Sequence, residues 1–550
     1  MAKKRIKFFI PRVWLGDVYL PIVQYVLKMC YDQTGRYADQ IEWCPSYIET
    51  SNVEMMWNEF LDHDPDIICF SIYVWNATAV HAVAKRIKEQ FPNKILILGG
   101  PEIHWKTFEE YALQHSYYDF MIYGDGEEAF VKLIDLIYSN KTTELNLIQI
   151  PNLIFKKKNK VIKTPHQIYR GPLYTEQSPW LYNKEEFERD CALIIASGDI
   201  PTISWEFDRG CPYECSFCDW QAGLHHKVIR KKYSWYDELI LFAKNKCRLH
   251  CNNANIGFYK DDAKIIETIY QLTVDFPGFI FMNPCWAKLN GDRVFDMLKR
   301  QGEITGKIYA KQHLQSIDPT VLKNIDRPGT DWSEQKQTII ELRKQSNVLV
   351  EYHPELIIGM PGETKETWDY AMLELIELYP WAGIDANHWV LLPNSPAANP
   401  DYKEKFKLEI TPCIELFEDS HDNVKLDQNL TNDDIAKIMA GNNVAENFVW
   451  RGNFVTGTYS STLEDRLYML ISAGIAKNLQ EFCGGDINNA RNMYKTLKPA
   501  VWKRAQEDGA IFRKYLEIHG AIPFFVWHKG RLWMYREAWN SHLCLDILKS

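Results

Sequence analysis

Apolar and polar positions alternate along the first 140 residues in a way that separates strands from helices. RIKFFIP (5–11) is a short apolar strand, and residues 18–31 have helical spacing. DIICFSIYV (66–74) is a nearly continuous apolar run, as expected of a strand covered on both faces. Residues 80–91 then put Val80, Val83, Ala84 and Ile87 on one helical face. KILILGG (94–100) and DFMIYG (119–124) are further buried strands, and a helix begins near Glu127. This β-α-β-α-β order predicts an α/β fold that opens with a doubly wound, Rossmann-like parallel sheet over 1–145.

The pattern weakens over 146–198, which reads as a linker. KKKNK (156–160) marks a hairpin tip and PHQIYRGPLYTEQSPW (165–180) a proline-bearing connector. A second alternating region fills 199–400, with strands at 202–207, 254–258, 279–282, 307–314, 349–358 and 386–392. Six such strands with crossover helices predict a partial TIM-type (β/α)6 barrel, whose chemistry sits at the strands' carboxyl ends. Residues 401–550 read as a mixed, mostly helical unit for substrate or for capping the barrel. Its helices are expected near 432–448, 461–481 and 487–507, and FFVWHKGRLWMY (524–535) as a hairpin turning at Lys529-Gly530.

Composition narrows the setting. The 550 residues exceed one ordinary core, and 46% apolar with 25% charged residues is globular. A net charge of -9 speaks against a broad nucleic-acid surface. No run reaches the roughly 20 apolar residues of a membrane helix. The start, MAKKRIKFFIPR, is interrupted by Arg12 and Asp17 before a signal core forms, so a cytoplasmic location without membrane attachment is expected. There, most of the 13 cysteines should be reduced: buried, free or metal-bound. CRLHC (247–251) reads as buried thiols, with a metal ligand set as the alternative. KVIRKK (227–232) reads as a solvated face, or else as a steering patch for an anionic substrate.

One stretch changes the picture. DRGCPYECSFCDW (208–220) spaces Cys211, Cys215 and Cys218 as C-x3-C-x2-C directly after a strand. A structural zinc site closes with four protein ligands, here for instance with His225 or His226. Three thiolates in one loop instead suit a cubane cluster with one iron left open.

The spacing, with Phe217 before the last cysteine, resembles the signature of radical S-adenosylmethionine (SAM) enzymes. The resemblance implies a [4Fe-4S] cluster on Cys211, Cys215 and Cys218, with SAM on the open iron and Phe217 near its adenine. NANIGFYKDD (253–262) resembles the family's second-strand element, which implies SAM contacts at Asn255, Gly257 and Asp261, although the more usual Gly-Gly-Glu is absent. LQSIDPTVLKNIDRP (314–328) is similar to a further element, with Gln315 and Ser316 as donors to SAM and Arg327 as a structural residue. ELIIGMPGET (355–364) resembles the adenine-supporting turn, around Ile357 and Gly359.

The first sheet adds a second resemblance. No G-x-G-x-x-G follows the first strand, but CFSIYVWN (69–76), LGGPEIHW (98–105) and YGDGEEAF (123–130) resemble the cobalamin (B12)-binding domain that precedes many radical SAM enzymes. The implied ligand-adjacent residues are Ser71, Tyr73, Trp75, Asn76, Gly99, Gly100, Gly124, Gly126 and Glu127. No Asp-x-His-x-x-Gly triplet is present, so cobalt is expected to lack a histidine ligand.

Together these resemblances imply a cobalamin-dependent radical SAM methyltransferase. Reductive cleavage of SAM would make a radical on an unactivated carbon, which then takes a methyl group from methylcobalamin. A small-molecule, peptide or lipid substrate and an external electron donor such as flavodoxin or ferredoxin follow as partners. The alternatives are a non-methylating radical SAM enzyme (cyclase, rearrangement or methylthiotransferase) and a zinc-bearing binding module. Among other polar residues, His313 is expected in the barrel lumen or core, and Glu351, Tyr352 and His353 open a barrel strand.

Overall fold

A computed structural model describes residues 3–12, 17–49, 51–171, 176–220, 227–282, 286, 291–327, 331–378, 383–416, 449–520, 522–523, 525–528, 531–534 and 547–548. The chain opens with β1 (Lys4–Phe9), β2 (Asp17–Tyr19), β3 (Ile41–Trp43), β4 (Ile67–Ser71), β5 (Ile95–Gly99), β6 (Phe120–Ile122), β7 (Leu153–Lys157) and β8 (Lys160–Lys163). All but β2 form one seven-stranded sheet in the order β3-β1-β4-β5-β6-β7-β8. Its first five strands are parallel, and β7 and β8 continue it antiparallel as the expected hairpin. Every residue of β4 is buried, in keeping with its unbroken apolar run. Helix Ala77–Gln90 covers one face through Val80, Val83, Ala84 and Ile87, and helix Glu127–Tyr138 covers the other through Phe130, Leu133 and Ile134.

One early expectation needs correction here. The helix expected over 18–31 starts only after Pro21, as Ile22–Thr34. Proline accepts a helix start but lacks the N–H needed inside one, so Val18 and Tyr19 stay extended. They belong to β2, which pairs with the second region instead of with the first sheet.

That second region contains β9 (Ile200–Trp205), β10 (Asp208–Arg209), β11 (Ile229–Arg230), β12 (Arg248–Cys251), β13 (Ile280–Met282), β14 (Lys307–Gln315), β15 (Leu349–Ile358) and β16 (Asp385–His388). Six of them, β9 and β12 to β16, run in the expected order in two parallel arcs. One arc is β13-β12-β9-β2 and the other β14-β15-β16. The second strand lies earlier than expected, at Arg248–Cys251 and not at 254–258. RLHC alternates in burial, whereas Asn252, Asn253, Asn255 and Gly257 are turn formers that take the chain over the strand's carboxyl end. KVIRKK is not a solvated face. Arg230 pairs with Asp208 and Asp262, and Lys231 is buried beside Glu206.

Residues beyond 400 share the barrel's core. β17 (Glu409–Leu416) pairs antiparallel with β18 (Val449–Gly457) and parallel with β19 (Ile522–Pro523). The helices expected at 461–481 and 487–507 are Leu463–Cys483 and Ile487–His519. One apolar cluster runs from the barrel strands into these helices, joining Ile358, Trp368 and Met372 to Leu467, Ile471 and Ile475. Trp180, Phe187 and Cys191, from the stretch read as a linker, enter the same cluster. β20 (Phe525–His528) and β21 (Arg531–Met534) make the antiparallel pair expected in the tail. The helix expected at 432–448, the turn at 529–530, Cys285 and Cys544 lie outside the described residues.

Candidate functional site

The cysteine loop leaves β9 through the short β10–β11 ladder. Gly210 precedes Cys211 with φ +117, and a Cβ there would come within 2.4 Å of the Lys227 carbonyl, so only glycine makes this entry without strain. Ser216 anchors the loop's centre. Its amide donates to Ile325 O (2.9 Å), its carbonyl accepts from Ala397 N (2.9 Å), and its hydroxyl meets Tyr402 (2.8 Å). Cys215 is buried, while Cys211 and Cys218 are partly exposed.

Each sulfur has an N–H neighbour. Asn255 Nδ2 donates to Cys211 Sγ at 3.3 Å and the Trp220 amide to Cys218 Sγ at 3.3 Å, while the Arg327 guanidinium lies beside Cys215. Among the described residues no three His, Cys, Asp or Glu side chains converge on one point for a single metal ion. A cubane asks for no such convergence, because each thiolate binds its own iron. His225 and His226 lie outside the described residues.

The other residues expected near SAM gather around this loop to different degrees. Phe217 and Ile357 pack against one apolar cluster with Val321, Ile325 and Met360. Gln315 has φ +68, a conformation rare outside glycine, and stands at an irregularity in the β14–β15 register. Ser316 is buried with its hydroxyl on Glu363 (3.3 Å). Gly359 donates its amide to Glu363 (2.7 Å), and its carbonyl accepts from Arg466. Glu363 went unread in the sequence; burial pushes its carboxyl up to about 8. Gly257 likewise has its amide on Asp262 (2.8 Å), while Asp261 beside it is exposed. Asp262, also held by Arg230, is what folds this loop.

A cavity of about 440 Å³ joins the cysteine loop to the first sheet. Its lining includes Ser71, Tyr73, Gly99, Gly100, Gly124, Gly126 and Glu127 from the carboxyl ends of β4, β5 and β6. From the barrel come Ser204, Glu206, Arg209, Asp219, Trp220, Asn252 and Asn394. Its inner end is apolar, between helix Ile22–Thr34 (Ile22, Val26, Leu27) and the sheet (Phe8, Ile97). Gly100, at φ +116, lies so close to Ile72 that a Cβ would sit 2.3 Å from the Ile72 carbonyl oxygen.

Two of the expected cavity residues stand elsewhere. Trp75 is 43% exposed and stacks on Tyr73 with ring centroids 4.7 Å apart. Asn76 is buried and braces its own loop, accepting from Tyr73 N (2.8 Å) and donating to Pro11 O (3.1 Å).

The residues that sequence reading missed are those that join the two halves. Arg209 donates to Asp125 (3.1 Å), Glu127 (2.9 Å) and Glu206 (3.2 Å). Asn394 donates to Ile103 O (3.0 Å) and Asp219 (3.5 Å). Burial pushes the Asp219 carboxyl up to about 7. Three buried oxygens here, Asp219 Oδ1, Asn255 Oδ1 and Asn394 Oδ1, have no hydrogen-bond partner among the described residues. Buried acceptors of this kind are normally satisfied, so they fit a wall built against a bound group. Asp219 follows the last cysteine, and Asn394 opens an Asn-Ser-Pro turn; both were legible only as local features.

Below the cysteine loop, the face of β14 and β15 turned away from the helices is polar. Lys311 pairs with Glu355 (2.7 Å), which also meets His313, and His353 lies between Tyr309 and Asp385. Tyr352 points the other way, into the core. CRLHC holds buried thiols as expected, with Cys247 Sγ 3.8 Å from Cys191 Sγ. No described helix is long and apolar enough to cross a membrane.

Comparisons with known proteins agree with this geometry. The B12 binding domain family model matches residues 45–134. The cobalamin-dependent radical SAM methyltransferase TokK of Streptomyces tokunonensis is 26% identical over 406 residues, 72% of this chain and 56% of TokK. The 2-(S-pantetheinyl)-carbapenam-3-carboxylate methyltransferase of Streptantibioticus cattleyicolor is 25% identical, again over 72% of this chain and 56% of the relative. The chain thus spans little more than half the length of these relatives. In fold it is similar to the radical SAM methyltransferase TsrM of Kitasatospora setae, solved with cobalamin and a [4Fe-4S] cluster (TM-score 0.57, 13% identity, 92% of this chain and 100% of that one). It is also similar to the cobalamin-dependent SAM radical enzyme OxsB, solved with aqua-cobalamin and SAM (TM-score 0.52, 10% identity, 100% of this chain and 78% of that one). In cysteine motif, amino-terminal domain and fold alike, the chain is similar to radical SAM enzymes that carry a B12-binding domain.

Proposed function

We propose that the chain is a cobalamin-dependent radical SAM enzyme that transfers a methyl group to an unactivated carbon. The observation that carries the reading is the single cavity whose walls come from both the carboxyl end of the first sheet and the cysteine loop of the barrel. A corrinoid in the one and a cluster in the other would then face each other across the same space. When bound, the cluster with SAM supplies one-electron cleavage chemistry and the corrinoid supplies the methyl group.

The chain's own residues hold, orient and shield. Cys211, Cys215 and Cys218 would ligate a [4Fe-4S] cluster. Asn255, Gln315, Ser316 and Phe217 would surround SAM on the barrel side. Ser71, Tyr73, Gly99, Gly100, Gly124 and Gly126 would let a large planar ligand approach the backbone. The apolar inner end of the cavity suits a hydrophobic arm of that ligand. Arg209, Glu127 and Asn394 tie sheet to barrel across this space. A small-molecule, peptide or lipid substrate and an external donor such as flavodoxin or ferredoxin complete the reading.

The test is anaerobic reconstitution with iron, sulfide and hydroxocobalamin, then addition of SAM and dithionite. Cluster and corrinoid absorbance in the purified protein are expected, with both 5′-deoxyadenosine and S-adenosylhomocysteine formed. A protein that binds neither group, or releases no deoxyadenosine, ends the reading. An anaerobic magnesium-protoporphyrin IX monomethyl ester cyclase of Cereibacter sphaeroides, 24% identical over 55% of this chain, keeps a non-methylating reading in view. Deoxyadenosine without S-adenosylhomocysteine would select it.

A further inference from the structure

The three candidate cluster thiols receive their N–H neighbours from three separate parts of the chain. Asn255 serves Cys211 from the loop after β12, the Trp220 amide serves Cys218, and Arg327 serves Cys215 from beyond helix Pro319–Asn324. Only Arg327 brings a charge. Its side chain is buried, and among the described residues no carboxylate pairs with it. Its Nη2 donates to the carbonyl of His313, and its buried Nε has no partner among the described residues.

A buried guanidinium is costly unless an anion compensates it, and it stays protonated at any working pH. As ligands of a cluster, the three sulfurs would be the negative groups gathered around this one. Its position is enforced from the backbone. The Arg327 amide donates to Leu322 O (3.0 Å), and the same segment holds the cysteine loop through Ser216 N and Ile325 O (2.9 Å). The cation and the loop it serves are therefore one mechanical unit.

We infer that Arg327 is a positioning residue that raises the reduction potential of the cluster by holding a fixed positive charge against Cys215. The inference rests on the functional reading above. In the step concerned, one electron passes from an external low-potential reductant, which is oxidised, to the cluster, which is reduced. No bond to the chain changes and no proton moves. The reduced cluster is more negative by one charge, so a nearby cation and N–H donors to sulfur favour it. Asn255 and the Trp220 amide act in the same direction, but as neutral donors and more weakly.

The experiment is a reductive titration of the reconstituted protein with dithionite-poised mediators, followed by electron paramagnetic resonance and done without SAM. Leaving SAM out separates an effect on the cluster from a contact with SAM. In Arg327→Gln the oxidised-to-reduced ratio at fixed potential should rise about tenfold, which for one electron is a shift of about 59 mV to lower potential. Arg327→Lys should recover most of it. Coincident potentials in wild type and Arg327→Gln, at equal iron and sulfide content, overturn the inference alone. Where Arg327→Gln retains no cluster, the uncharged, similarly long Arg327→Met carries the test: a potential lowered below that of Arg327→Lys supports the inference, and equal potentials in the two overturn it. A wild-type chain that takes up no cluster overturns the functional reading and this inference with it.

Discussion

The guanidinium of Arg209 lies 2.9 Å from the carboxylate of Glu127, linking residues 82 positions apart. Glu127 begins the helix that follows β6 in the first sheet, and Arg209 stands two residues before the first motif cysteine. The pair therefore fixes the sheet's ligand-facing edge relative to the cysteine loop. Glu127 is only 4% exposed, so the link is shielded from solvent.

Arg209→Ala removes the shared partner of Asp125, Glu127 and Glu206. Asp125 keeps the Tyr169 amide and Glu206 keeps Lys231, but the buried Glu127 loses its ion-pair partner, which costs about 3 kcal/mol or more. Urea unfolding should show a loss of that order, whereas Glu127→Gln, which leaves Arg209 with Asp125 and Glu206, should lose less. Equal stability of Arg209→Ala and wild type would remove the link from the account of how the two halves are held.

Gly100→Ala tests the corrinoid edge of the cavity. Its φ of +116 disfavours any side chain, and the new Cβ would meet the Ile72 carbonyl oxygen. The loop must shift, at a cost of about 1–3 kcal/mol. Corrinoid retained after gel filtration should fall at least tenfold while cluster iron stays at its wild-type level. Gly306→Ala is the control, since Gly306 also has a positive φ (+75) but lies outside the cavity lining, and a Cβ there meets nothing within 4 Å. Equal retention in the two variants would argue against close approach at this turn.

Asn394→Ala detaches the loop after β16 from Ile103 and Asp219. If that bond holds the halves together, exchange of the Ile103–Trp105 region with deuterated solvent should quicken in the variant. Corrinoid affinity should drop several-fold, with the cysteine loop's iron content unchanged. Unchanged exchange and affinity would make Asn394 a local turn residue.

Glu363 makes stability depend on pH. Burial, the largest cause, raises its carboxyl from the usual 4.5 to about 8. An acid whose folded value lies above its unfolded value binds more protons when folded. Its contribution to stability is therefore full below about pH 4.5 and is lost as pH rises through about 8. Across that window the slope for one group approaches about 1.4 kcal/mol per pH unit. Glu363→Gln should flatten this part of the profile in urea unfolding at pH 5 to 9. An identical slope in both proteins would mean Glu363 is ionised in the fold.

Local features of this chain were readable because their physics is local. Buried parallel strands such as DIICFSIYV and KILILGG declare themselves by unbroken apolar runs, and the three cysteines by their spacing. The strand at Arg248–Cys251 was displaced because RLHC is short, and the following ANIGF has a stronger apolar look. β2 was hidden because three residues carry no periodicity, and its partner β9 lies some 180 positions later. KVIRKK looked solvated because the acids that neutralise it, Asp208, Asp262 and Glu206, are not its sequence neighbours.

By itself the sequence determined the order of the elements, the ligand-bearing cysteine loop and the glycine-rich edge of the first sheet, since each depends on dihedral freedom or side-chain spacing within a few residues. The tertiary structure alone decided that the two edges share one cavity, that Arg209 and Asn394 bind them together, and that Arg327 stands against Cys215. Such pairings depend on how distant segments pack, where burial amplifies each charge and each unpaired donor, and no local pattern of residues encodes them.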